Sequence, residues 1–596
     1  TQTSARNIQV SAISTLEIAP GTQLVQAGQV ITTTAGNVFR IGGGGEFLMS
    51  NNSATNLVTG TAGVFQIGNN SILAFSNTTA NAIVTGTVTA TMQINGGTLR
   101  VDALTGATSQ SAGILSLNGG AKVLLNSGAT ANDSQITFTT MVRTNQGTLV
   151  VTASNSNISG GNSSLGVTTG GVDGRMIITG TGTLLGLTHG IVSPMVVRQA
   201  SASDSAANFT TYVIGQGFGT HAGTTTSTLG GLSPTLIGDI SSDISVTSLA
   251  TVHALRTSAN ISGSDLRLLS GGLIINQART ISNNITFGPS ATTLPAVPAT
   301  GILNEGFVYV SGTGGAVLSG GVFGNALTKF GAGDLTLSGF NGITGTLAVN
   351  DGSVRFSGSG LSARRTTIQV NDGGFVDLAN GGTLSVLNLQ GAAGLNGAGQ
   401  GRIGSSVAAG SALRVVSLST GTFGGMLTDD IRLVKDGTGT LTLTGEYNSF
   451  TGGVELLNGA ISAFGPTALG GAPTGTFGGP ASTPGNVVLR GGTLNLFTSD
   501  GNKVNGTNVW GAPGSQGLTV AIRGNTVINV DHNATGTGNI QQIGQLLIGN
   551  NSLTVNGASS YRLMVSGTTT LQGLGATIRT ASTAPSGSLI PAGKAT

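Results

Sequence analysis

Two segments of the chain repeat one another, and a repeated strand–turn–strand unit restricts the fold more than any other feature. Leu327-Thr328-Lys329-Phe330-Gly331-Ala332-Gly333-Asp334-Leu335-Thr336-Leu337-Ser338-Gly339 returns as Leu433-Val434-Lys435-Asp436-Gly437-Thr438-Gly439-Thr440-Leu441-Thr442-Leu443-Thr444-Gly445. Each copy reads as a short strand, a Gly-x-Gly bend, and a second strand alternating Leu with Thr. Downstream, Asn341, Thr344 and Gly345 are answered by Asn448, Thr451 and Gly452, and the turn Asn350-Asp351-Gly352 by Asn458-Gly459.

Outside the repeats the pattern has period 2 almost throughout. Ile8/Val10, Leu115/Leu117, Val123/Leu125, Leu494/Leu496 and Ile528/Val530 lie in short apolar–polar runs. Gly-Gly or Asn-Gly pairs punctuate them, as at Gly96-Gly97, Asn118-Gly119-Gly120, Gly381-Gly382 and Gly491-Gly492. Short strands between turn signals predict an all-β fold, and no sustained 3.6-residue period predicts helix. A chain of sandwiches needs longer antiparallel strands. The short spacing of the bends instead favours a parallel β-helix with side loops, each coil supplying about three strands. Repetition has an energetic reason. Ordering a coil of roughly 21 residues costs about 30 kcal/mol. At ~25 cal/mol per Å² that requires roughly 1,200 Å² of apolar burial. A lone coil cannot bury so much; stacked coils can.

The length of 596 residues then need not mean several domains, because a solenoid extends as one body. The expected division is 1–200 as N-terminal coils, 201–236 as an irregular loop or joint, and 237–596 as solenoid containing repeats at 327–358 and 433–465. The stretch 201–234 carries Phe209, Tyr212 and Phe218, and 466–484 carries four prolines, which cannot sit inside a sheet. Another loop is expected around Pro289, Pro295 and Pro298.

Charged residues make up only 8% of the chain, yet mean hydropathy is +0.26, so there is a core to bury and disorder is disfavoured. The exterior must be built from Thr, Ser, Asn and Gly, a neutral surface suited to an extracellular β protein. Twenty-four basic against 21 acidic residues form no patch, which argues against nucleic-acid binding. No apolar stretch is long enough to span a membrane as a helix. The chain starts at Thr1, which is consistent with export and removal of a signal peptide.

The two copies resemble the autotransporter-associated β-strand repeat of large bacterial surface and secreted proteins. That pattern runs roughly Leu-x-Lys-x-Gly-x-Gly-x-Leu-x-Leu-x-Gly, then Asn-Tyr-x-Gly-Gly, then Asn-x-Gly-x-Leu. Leu433 to Gly459 follow it well. Leu327 to Gly352 depart from it at Asp334 and at the tyrosine position. The resemblance covers about residues 250–500 and implies a passenger-type right-handed β-helix outside the cell. The aromatic-rich strands of a C-terminal outer-membrane barrel are missing from this sequence.

Candidate chemistry is sparse. Asp429-Asp430 with Arg432 and Lys435 is the densest charged cluster, but neighbouring strand residues point to opposite faces. A solvated turn is the simpler reading. His189, His221 and His253 are evenly spaced along the chain. Their differing contexts suggest surface histidines rather than stacked metal ligands. Asp531-His532 lacks a third partner. Gly42 to Gly45 and Gly397 to Gly401 read as turns, since no helix follows to complete a phosphate site. No catalytic, cofactor-binding or metal residue is assigned, and no enzyme activity is expected.

The sequence therefore reads as an extracellular structural protein whose solenoid self-associates into a fibre or surface layer. The alternative is an adhesin passenger that binds cell surfaces or glycans through its loops, which an exposed aromatic groove at 201–234 or 466–484 would favour. A polysaccharide-active β-helix enzyme is third. The expected partner is the chain itself, through head-to-tail or strand-exchanged pairing with the N-terminal strand as donor. Leu335, Leu337, Leu441 and Leu443 are expected to point inward.

Overall fold

A computed structural model describes the chain from Gln2 to Pro591 apart from short stretches; those of six residues or more are 51–56, 77–82, 128–133, 156–163, 166–172, 200–205, 290–302, 392–399, 472–485, 499–505 and 582–588. Among the described residues there is no α-helix, only one 3-10 turn at Thr183–Leu185. The strands pair in parallel ladders, and the fold is a parallel β-helix. The chain divides into two compact units, one formed mainly by Thr1–Val354 with Asn371–Phe375, the other mainly by Arg355–Val370 and Val376 onward.

The first unit begins with coils of three short strands. One ladder stacks Gln2–Ser4, Gln23–Gln26, Glu46–Met49, Ile72–Ser76 and Thr98–Ala103. A second stacks Ser14–Glu17, Val38–Gly42, Val64–Gly68 and Thr91–Asn95, and a third Ile8–Val10, Val30–Thr32, Leu57–Thr59 and Ile83–Thr85. The register advances one coil at a time. Leu73 lies beside Phe47 and Leu99 beside Leu73, the same step along the chain in both cases. Equivalent positions therefore land on top of one another and build columns. Phe39, Phe47 and Phe65 all point inward, and Phe39 meets the other two edge-to-face at ring distances of 5.9 and 6.1 Å. Further along, the coils tighten: the step from Leu327 to its partner Leu347 is shorter than that from Leu73 to Leu99.

Residues 207–220 depart from the parallel pattern. Ala207–Val213 and Gly217–Thr220 form an antiparallel hairpin. Phe209, Tyr212 and Phe218 are all buried in it. The Tyr212 hydroxyl donates to the Ile178 carbonyl at 2.6 Å and accepts from its N–H at 2.9 Å. The aromatic residues of this stretch are therefore packing groups, and no exposed aromatic groove exists among its described residues. The counterpart at 466–484 lies largely outside the described residues, as do Pro295 and Pro298.

The second unit stacks coils in the same way. Thr440–Leu443, Ala460–Phe464, Thr493–Thr498, Thr526–His532 and Ser552–Gly557 make one ladder. Leu441 pairs with Ile461, then Leu494 and Ile528 continue the buried column. On the opposite face the same strands carry an amide ladder: Asn556 donates to Asn529 at 2.8 Å, Asn529 to Asn495 at 2.7 Å, and Asn495 to Ser462 at 2.8 Å. Trp510, the single tryptophan, is buried with its Nε1–H donating to Gln541 at 2.7 Å. In both repeats the alternating leucines Leu335, Leu337, Leu441 and Leu443 are buried, as period 2 requires.

Candidate functional site

The distinctive chemistry of the repeat is a buried ammonium group. Lys329 lies on the strand Ala326–Phe330 with no exposed surface. Its Nζ donates to the carbonyls of Gly331 at 2.6 Å and Asp351 at 2.7 Å, and also to that of Gly333. The Gly-x-Gly bend curls around the amine and turns its carbonyls inward. Gly331 has φ +80°, and a Cβ there would meet the Tyr309 ring at 2.8 Å. Gly352, from the turn one coil later, must be glycine because a Cβ would collide with the amine itself. Lysine, bend and following turn thus form one socket. The second repeat builds it again: Lys435 Nζ donates to Asp436 O at 2.7 Å and Gly437 O at 2.8 Å, and a Cβ on Gly459 would lie 3.0 Å from it. Burial lowers the Lys329 pKa to about 7, against the opposing pull of Asp351 and Asp334. Burial lowers that of Lys435 to about 8.

The first socket forms part of a cleft. Within the first unit the coils bearing Glu305, Asn350 and Asn371 pack sideways on the earlier coils. Their turns interlock through amides. Asn350 Nδ2 donates to Gln146 O at 2.8 Å and Thr148 Oγ1 at 3.0 Å; Asn371 Nδ2 donates to Asn145 O at 3.1 Å; Asn95 Nδ2 donates to Asp372 at 3.1 Å. Gly120 faces Asn350 so closely that a Cβ would strike its carbonyl. Arg143 grips Glu305 with two bonds, at 2.6 and 2.9 Å, and covers the Phe307 ring at 5.1 Å.

Beside this seam lies a cavity of about 250 Å³. Its floor consists of side chains in register on successive coils: Ile72, Thr98, Lys122 and Val150 in one column, Leu124, Thr152 and Gln199 in the next. Tyr309, Gly331, Ala332 and Asp351 form the other wall. Across the cleft Lys122 Nζ meets Asp351 Oδ2 at 2.8 Å. Asp351 therefore serves twice, with its carbonyl on the buried Lys329 and its carboxylate on Lys122.

The socket falls at two stretches, 327–356 and 433–463, that match the family model for the passenger-associated-transport-repeat. The chain carries two passenger repeats. Over 334 residues it is also 27% identical to the BmaC autotransporter adhesin of Brucella suis biovar 1 (strain 1330). That match covers 54% of this chain and 9% of the length of the adhesin. No solved structure matches the chain.

Away from the passenger repeats, the structure keeps His189 exposed and His221 half-buried, as surface histidines, but corrects that reading for His253. His253 is buried, and the His189 ring meets it edge-on at 4.6 Å. His221 stands next to the same turn, with its Nε2 2.9 Å from where a Cβ of Gly190 would lie. Burial, with the neighbouring His189, lowers the His253 pKa to about 4; burial also lowers that of His221. Their even spacing was the one signal of this grouping in the sequence. Asp429 and Asp430 act locally: Asp429, at φ +65°, accepts from Ser405 N–H at 3.1 Å and Thr428 Oγ1 at 2.9 Å, and Asp430 accepts from Thr451 at 3.3 Å. Asp531 and His532 approach only to 3.8 Å.

Proposed function

We propose that the chain is an exposed passenger segment of a bacterial surface adhesin, acting by binding and not by turnover. The observation that carries this reading is the passenger repeat, set in a stacked β-helix whose sequence is similar to part of an autotransporter adhesin. The physical chemistry supports it. A chain with 8% charged residues presents hydroxyls and amides to its surroundings. Its charged groups pair locally, as in Arg355 with Asp377 at 2.9 Å and Arg490 with Glu455 at 2.6 Å. On this reading the protein works outside the cell or at its surface.

Beads coated with the purified chain test the proposal on host-cell monolayers. Retention well above that of beads carrying an unrelated β-helix supports the adhesin. Beads that cluster with one another but leave cells untouched would favour self-association into a fibre or layer, the reading that the neutral surface first suggested. Beads that do neither would remove both.

A further inference from the structure

The geometry points to the cleft between Lys122 and Asp351 as a binding site for one uncharged sugar unit of a surface glycan. The inference rests on the adhesin reading and assigns that reading a place and a ligand class.

Size comes first. Pockets for drug-sized ligands measure roughly 300–1,000 Å³. A cavity of about 250 Å³ therefore admits one compact ring and is too small for a folded peptide. Backbone pairing with an extended peptide is also blocked here, because the floor strands already have neighbours on both sides.

The lining fixes the chemistry. Lys122 offers donors, Asp351 acceptors, Gln199 both, and Thr98 and Thr152 contribute hydroxyls. Such a mixture matches a ring bearing several hydroxyls, each both donor and acceptor. Leu124 and Val150, in neighbouring columns on adjacent coils, provide an apolar patch for the C–H face of that ring. The charge in the lining cancels, since Lys122 and Asp351 neutralise each other at 2.8 Å. An acidic sugar would have to displace Asp351 from Lys122, and a cation would have to do the reverse. A neutral sugar can bridge the pair without separating it.

The site is also preformed. Its two walls come from segments far apart in the chain, held by the Arg143–Glu305 pair and the asparagine contacts. Little ordering remains for the ligand to supply, so a small ring can be held usefully.

A glycan array probed with the full-length chain on multivalent beads tests this, alongside two variants. Ala332→Trp fills the mouth of the cleft from an exposed position. Gln199→Leu removes an amide while keeping its volume. The expected result is binding to glycans with neutral hexose or hexosamine units, inhibited by the free monosaccharide. It should fall at least tenfold in both variants while their melting temperatures stay at the wild-type value. Neutral-glycan binding that survives Ala332→Trp would overturn the assignment of the cleft. Binding confined to acidic glycans would overturn the ligand class. An empty array with cell adhesion intact would overturn this proposal and leave the adhesin standing; loss of both would remove the adhesin as well.

Discussion

Replacing Lys329 with Met isolates what the buried proton contributes. The two side chains are similar in length, so the coil remains filled and only the amine is lost. The absolute change in stability mixes two opposing effects: three carbonyls lose a donor, and an ammonium no longer has to be desolvated. The pH dependence separates them. The Lys329 pKa in the fold is about 7, below the 10.5 of an ordinary lysine. Below pH 7 both folded and unfolded chains hold the proton, and the cost of burying it is present in full. Between pH 7 and 10.5 the folded chain releases the proton while the unfolded chain keeps it, so stability rises with pH. A pKa unit is worth ~1.36 kcal/mol. From pH 7, where the group is half-titrated, to pH 9 the gain integrates to about 2 kcal/mol. The readout is hydrogen exchange at the amide of Asn350, which bonds the Lys329 carbonyl at 2.9 Å and reports on opening of this coil. Wild type should gain about 2 kcal/mol more than Lys329→Met between the two pH values. Parallel behaviour of the two proteins would refute the reasoning, because it would mean that the carbonyl socket holds the ammonium at its ordinary pKa.

Leu441→Ala should lower stability by ~2–5 kcal/mol in urea denaturation, since the residue is fully buried in its column; a loss under half a kcal/mol would place it on the wrong face. Gly331→Ala and Gly21→Ala share positive φ, but only Gly331 has atoms around the missing Cβ. Gly21→Ala should cost roughly 1–3 kcal/mol from backbone strain alone, and Gly331→Ala clearly more; equal costs would show that the socket is loose. His253 should stay neutral at pH 5.5 in an NMR titration, because its pKa is lowered to about 4. Its contribution to stability is therefore complete above 6.5 and is lost as pH falls from there toward 4. A titration midpoint near 6.5 would contradict its burial.

Much of the architecture can be read from the chain because a β-helix is specified locally. Period 2 chooses the inward face, and Gly-Gly or Asn-Gly sets each corner; Leu441 needs nothing more to be placed. The lysine socket is legible too. Leu327 and Lys329 share parity, as do Leu433 and Lys435, so an inward leucine carries its lysine inward with it. A lysine in a strand ordinarily faces solvent, and only carbonyls turned inward by a bend let it face the core. The cleft could not be read at all. Lys122 and Asp351 stand in distant parts of the chain, and no periodicity brings them together. Their meeting depends on the sideways packing of two runs of coils, settled by amide contacts such as Asn350 on Gln146 that carry no pattern in the sequence. The hairpin at 207–220 is hidden in the sequence for a related reason. A segment rich in Ser, Ala and Gly resembles a loop until a hairpin partner is known.

The interlocked asparagine turns also have a kinetic consequence. Along each run of coils, growth is a zipper: the side chain of Asn371 reaches Asn350 on the coil before it, closing a loop of 21 residues. Joining Asn350 to Gln146 closes 204 residues at once. Loop-closure entropy grows with the logarithm of length, so this step costs about 2 kcal/mol more than adding a coil. The first unit should therefore assemble in two phases, a rapid ordering of coils and a slower clasp that waits for the distant turn to find its place. Until the clasp shuts, Gly96, Gly119 and Gly120 stand open on the flank of the early coils. Pulsed proteolysis during refolding should therefore cut these turns before the clasp closes and spare them afterwards.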